Sequence, residues 1–100
     1  MHIEIENRNS RSLVTLSGEF TIYSAVKFKQ QLVGTISECE SLEIELSNVS
    51  EFDSAGLQLL ALLKREADAL GRPIRFSGHS ASVREVLNLC ELNEIFDANV

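Results

Sequence analysis

A chain of 100 residues, 44% of them hydrophobic, has material for one core and none for a second, so a two-domain enzyme is excluded. Nine Lys and Arg against 15 Asp and Glu leave a net charge of -6, which removes the long-range pull toward phosphate backbones, and nucleic acid is not an expected partner. The longest apolar run, Leu59 to Leu63, falls far short of the roughly 20 residues of a membrane span. No basic segment followed by an apolar run stands at Met1-His2-Ile3-Glu4, so the expectation is a single domain over 1–100 in the cytosol, with no direct membrane insertion.

In chain order, Ile3 and Ile5 alternate with His2, Glu4 and Glu6, and Val14 and Leu16 alternate with polar residues in 12–17. Both read as strands, joined as a hairpin across Asn7-Arg8-Asn9-Ser10-Arg11. A helical stripe follows in Ala25, Phe28, Leu32 and Ile36, with Lys27, Lys29 and Gln30 pointing elsewhere. Leu42, Ile44 and Leu46 around Glu43 and Glu45 form the third strand. The second helix carries Gly56, Leu59, Leu60, Leu63, Ala67 and Leu70 on one face and is stopped by Gly71-Arg72-Pro73. Ile74 and Phe76 around Arg75 make the fourth strand. The third helix opens on the capping-box pattern Ser82-Val83-Arg84-Glu85 and turns Val83, Val86, Leu87 and Cys90 inward. The tail from Glu91 adds a short strand or helix.

Strands covered on both faces are apolar throughout, whereas Glu43, Glu45 and Arg75 here occupy a second face. Helices between strands imply right-handed crossovers and parallel pairing. The expected fold is therefore a two-layer α/β sandwich, with a mixed four- to five-stranded sheet and helices on one face. Cys39 and Cys90 lie outside any CxxC, and no histidine cluster accompanies them. Two free, mostly buried thiols are expected, with no metal site.

The informative segment runs from Ser47 to Leu57, read as a loop that becomes a helix at Asp53-Ser54. Asp and Ser are favoured there because their oxygens accept the helix's unpaired N–H groups, and an N-cap alone accounts for both. The same position also suits a modification. A phosphate on Ser54 would meet free N–H donors and the positive end of the helix dipole, would be helped by the bare backbone of Gly56, and would add roughly -1.5 to -2 charges at one spot. On the second helix Leu57 and Ala61 lie beside the core stripe and Leu62, Gln58, Arg65 and Ala69 beyond it, where an isolated amphipathic helix carries charges; this reads as a docking face.

Asp53-Ser54-Ala55-Gly56-Leu57, preceded by Leu42-Glu43-Ile44-Glu45-Leu46-Ser47 and Val49-Ser50-Glu51-Phe52, resembles the core of the STAS domain of bacterial anti-sigma factor antagonists. The resemblance covers nearly the whole chain. Leu16-Ser17-Gly18-Glu19-Phe20 is similar to the family's second strand and Gly-Glu-Leu-Asp corner, Gly71-Arg72-Pro73-Ile74 to a characteristic turn, and Ser82 to Leu87 with Leu92 and Phe96 to the C-terminal helix and tail. It implies a switch without chemistry of its own. The unphosphorylated protein binds an anti-sigma factor that is often a serine-protein kinase; that kinase phosphorylates the residue after the motif's Asp, and a serine phosphatase restores it. Carried over by position, Ser54 is the phosphoacceptor, Asp53 orients the loop or meets the kinase, and Gly56 keeps the helix start open. The partner surface then comprises Asp53, Ala55, Gly56, Leu57, Gln58, Ala61 and Leu62, with Glu19, Thr21 and Tyr23 from the neighbouring corner. Thr21 stands where many members carry an acidic residue, a departure that bears on the partner's identity. STAS domains also serve as accessory subunits of a lipid-transporting ABC system and as stressosome or chemotaxis-linked modules, with Ser54 then a structural cap.

Rival chemistries fit poorly. Ser54 and His79 both follow strands, but adjacent Asp53 and Ser54 do not put an acid behind the histidine, and no G-x-S-x-G elbow is present. His79 reads as a polar turn residue, and His2 as one at a strand edge. There is no P-loop or GxGxxG, and no cofactor is expected.

Overall fold

The computed structural model describes residues 1–98. Four strands form one sheet in the order β1-β2-β3-β4, built from β1 (His2–Arg8), β2 (Arg11–Phe20), β3 (Ser41–Phe52) and β4 (Ile74–Ser77). The chain turns back through Asn9 and Ser10, both at positive φ, so β1 and β2 pair antiparallel as the expected hairpin. β2 with β3 and β3 with β4 pair parallel, joined by the helices α1 (Ile22–Ser37) and α2 (Ser54–Ala69). The third helix, α3 (Ala81–Leu89), follows β4. The mixed sheet has four strands among the described residues, and the tail from Glu91 runs in turns that add no fifth.

Alternation along the strands decides which face the helices cover. Val14, Leu16, Leu42, Ile44, Leu46 and Phe76 are buried, while Glu43, Glu45 and Arg75 between them keep solvent access on the opposite face. From the helix layer Leu32, Ile36, Leu60, Leu63, Val83 and Leu87 close the core. Phe96 in the tail packs edge-on against Phe76, with ring centroids 5.0 Å apart. Asp97 accepts the N–H of Phe76 at 2.9 Å, and His79 Nε2 bonds Phe96 O at 2.6 Å, so this histidine fastens the tail as well as making a turn.

Several expectations need correction. β3 does not end near Ser47; it continues through Phe52, leaving Asp53 alone between strand and helix. Two register shifts against β2, between Thr15 and Ser17 and between Gly18 and Glu19, each give β3 an extra residue. These bulges space the buried side chains three apart, at Leu46, Val49 and Phe52, and hide the strand from a period-two reading. α2 stops as expected at Gly71, which takes φ +67 and donates to Asp68 O, but Leu70 is 53% exposed because it caps the helix instead of lying on its stripe. α3 is capped by Ser80, not Ser82, and Cys90 at its far end is exposed, so only Cys39 is a buried thiol.

Candidate functional site

The site forms where β2 and β3 end side by side and α1 and α2 begin. Phe20 and Phe52 are register partners, and their rings pack with centroids 5.5 Å apart, making an apolar floor. On that floor sits Gly56, fully within the structure. A Cβ at this position would lie 2.6 Å from Phe20 O and 2.9 Å from the Phe52 ring, so glycine is what lets α2 approach the strand ends. The expectation that Gly56 leaves an open, partner-facing backbone is therefore wrong; Gly56 is buried and serves packing.

Asp53 ties both helices to this floor. One carboxylate oxygen accepts Gly56 N–H at 3.0 Å as the N-cap of α2, and the other accepts Ile22 N–H at 3.1 Å at the start of α1. The second bond supplies what Thr21 does not, since Thr21 occupies the N-cap position of α1 without a side-chain capping bond. Two helix N-termini, each with the partial positive charge of its dipole, thus converge on one carboxylate. With both oxygens engaged by backbone donors and the residue half-buried, Asp53 is a structural joint more than a surface contact.

That division of labour leaves Ser54 free. It is exposed at the first position of α2, and its hydroxyl makes no hydrogen bond among the described residues. Asp53 satisfies the N–H groups of Gly56 and Leu57, through its side chain and its carbonyl, and leaves those of Ser54 and Ala55 unengaged among the described residues. Glu19 and Glu51, exposed register partners on the adjoining strand ends, make this corner acidic.

The sequence-predicted partner surface separates into two strips. Ser54, Leu57 and Ala61, spaced three and four apart, share one ridge of α2, with Leu57 half-buried against the core and Ala61 exposed. Ala55, Gln58 and Leu62 instead face α1 across a groove of about 430 Å³. Leu62 is half-buried there, so the leucines read as off-stripe are largely covered. Across the groove α1 carries exposed apolar side chains, Val26 at 76% and Ile22 at 55%, with Tyr23 beside them at 85%. Tyr23 belongs to the sequence-predicted surface; Ile22 and Val26, four residues apart along the edge of the Ala25, Phe28 and Leu32 stripe, do not, although that spacing is the signal that marks them.

The fold and this corner define a STAS domain. A family model described as "Mlab, STAS domain" matches residues 3–97, and the chain belongs to that family. Solved structures agree on the fold. A putative anti-sigma factor antagonist from Thermotoga maritima superposes with a TM-score of 0.83 at 19% identity, over 93% of this chain and 81% of the other. An anti-sigma factor antagonist from Mycobacterium paratuberculosis gives 0.78 at 24% identity, over 95% and 81%. The Bacillus cell fate determinant SpoIIAA in its phosphorylated form gives 0.75 at 18% identity, over 93% and 86%. Among the described residues no helix is long and apolar enough to cross a membrane.

Proposed function

We propose that this STAS domain is an anti-sigma factor antagonist that binds an anti-sigma factor, itself a serine-protein kinase, when Ser54 is unmodified, and releases it when Ser54 is phosphorylated. The observation that carries this reading is the separation of cap from hydroxyl: Asp53 holds the two helices, and Ser54 stands exposed beside it with no structural bond to lose. Phosphorylation then leaves the fold intact and changes the surface. It adds roughly -1.5 to -2 charges to a corner that already holds Asp53, Glu19 and Glu51, and like-charge repulsion acts on any partner group that tolerated the neutral hydroxyl. A serine phosphatase resets the switch. The phosphorylated neighbour, SpoIIAA, is a precedent for such a modification on this fold and supports the proposal.

The test is a pull-down with Ser54→Ala and Ser54→Glu baits, followed by affinity measurement on the captured partner. An ATP-binding kinase held by the first bait and lost from the second is the expected result; equal affinity for both overturns the switch. A second reading, an accessory subunit of a lipid-transporting ABC system, is favoured by the family description, which names Mlab instead of an antagonist. An ABC ATPase captured equally by both baits establishes that reading, with Ser54 no more than the first residue of α2.

A further inference from the structure

The groove between α1 and α2 has a sign opposite to that of the chain. In a protein of net charge -6, the residues lining it include two cations, Lys29 and Arg65, and no Asp or Glu. Its floor and walls are apolar: Ala25 and Leu59 below, Ile22 and Val26 on one side, Ala55 and Leu62 on the other. The positions follow helical spacing on both sides, with 22, 26 and 29 on α1 facing 55, 58, 62 and 65 on α2. The seam starts where Asp53 joins the helices and ends at the two cations. From Ala55 to Arg65 α2 rises about 15 Å, close to three turns of another helix.

Resting on the reading of this chain as a partner-binding module, we infer that the α1/α2 seam receives an amphipathic helix of the partner, which buries an apolar stripe against Ile22, Val26 and Leu62 and sets Asp or Glu side chains against Lys29 and Arg65. Two neighbouring helices with apolar residues at i, i+3 and i+4 spacing are the usual receptor for a third. The occupant's charge follows from the rim. A second copy bound by two-fold symmetry would set the same cationic rim against itself and is disfavoured. An anionic lipid surface would meet the chain's net negative charge, and two cations make a small basic patch. An acidic amphipathic helix satisfies both the apolar walls and the rim, and its on-rate gains from the charge pairing.

The experiment places a photo-cross-linking amino acid at Val26, exposed and outside the core, in the full chain in its native cells, and maps the cross-linked peptide by mass spectrometry. The expected product is a helical segment with apolar residues three and four apart and flanking Asp or Glu. Its yield should fall about tenfold in the Lys29→Glu/Arg65→Glu variant, which converts two favourable rim pairs to unfavourable ones. Thermal unfolding followed by circular dichroism confirms that the variant is folded. No cross-link overturns the inference, as does a product with lipid, with this chain itself, or with a segment lacking acidic residues. A yield unchanged by charge reversal overturns it too. The same experiment in the Ser54→Glu background separates the two readings. A mapped acidic helix that persists there leaves the seam standing and removes the switch; a partner lost from Ser54→Glu that never cross-links at Val26 leaves the switch standing and removes the seam.

Discussion

Two helices of this protein start on serines just beyond parallel strands, and the two starts are built differently. At α3, Ser80 is itself the cap, its Oγ accepting Val83 N–H at 3.3 Å, and the next hydroxyl, Ser82, donates to Ser50 O at 2.8 Å. Both hydroxyls are spent on structure. At α2 the cap is Asp53, which also holds α1, and the serine that follows is spent on nothing. A serine at a helix start is thus no evidence of a switch by itself; what matters is whether another residue has taken over the capping. The difference can be broken residue by residue, and the effects should fall in a definite order.

The largest belongs to the packing beneath α2. Gly56→Ala drives a methyl into Phe20 O, a backbone atom, and into the Phe52 ring, and neither yields without moving a strand end. The expected loss is about 3 kcal/mol, at the upper end of overpacking costs, measured by urea denaturation. An unchanged midpoint would show that α2 does not depend on this close approach. Asp53→Ala comes next. It removes two charge-assisted bonds at once and frees the starts of both α1 and α2, for an expected cost of about 2 kcal/mol. Asp53→Asn keeps one acceptor oxygen and should recover part of it, whereas a full recovery would mean that one of the two bonds contributes nothing.

How much of this was legible from sequence differs between the two helix starts. Alternation in Ile3–Ile5, Val14–Leu16, Leu42–Leu46 and Ile74–Phe76 placed all four strands and the covered face. Asp53-Ser54 marked the start of α2 because Asp followed by a helical stripe is a local signal, satisfied by a bond three residues away. The bond from Asp53 to Ile22, 31 residues distant, has no local signature and appears only when β2 and β3 end together. The same holds for Gly56, whose role depends on atoms of Phe20 and Phe52. The second half of β3 is illegible to a period-two pattern because its bulges replace a spacing of two by one of three at Leu46, Val49 and Phe52. At α3 two serines competed for the cap. The Ser82…Glu85 pattern is the stronger motif on paper, but the Ser82 hydroxyl donates to Ser50 O, 32 residues away and without a local signature, and Ser80 accepts Val83 N–H. The exposed pair Ile22 and Val26 has a helical spacing in the sequence, but such spacing marks a buried stripe as readily as an exposed one.

The smallest effects test the comparison most directly, because Ser80→Ala and Ser54→Ala remove the same hydroxyl from two helix starts. Ser80→Ala leaves Val83 N–H, half-enclosed at the start of α3, without its acceptor, and should cost about 1 kcal/mol. Ser54→Ala removes an exposed hydroxyl with no described bond and exchanges serine for a better helix former, so the change should stay within about 0.5 kcal/mol and lean toward stabilisation. Parallel thermal melts of the two variants decide it. Equal losses would show that the Ser54 hydroxyl does capping work after all, and the separation of cap from switch on which the proposed function rests would be gone. A loss confined to Ser80→Ala leaves Ser54 as a position whose chemistry is felt only by what binds there.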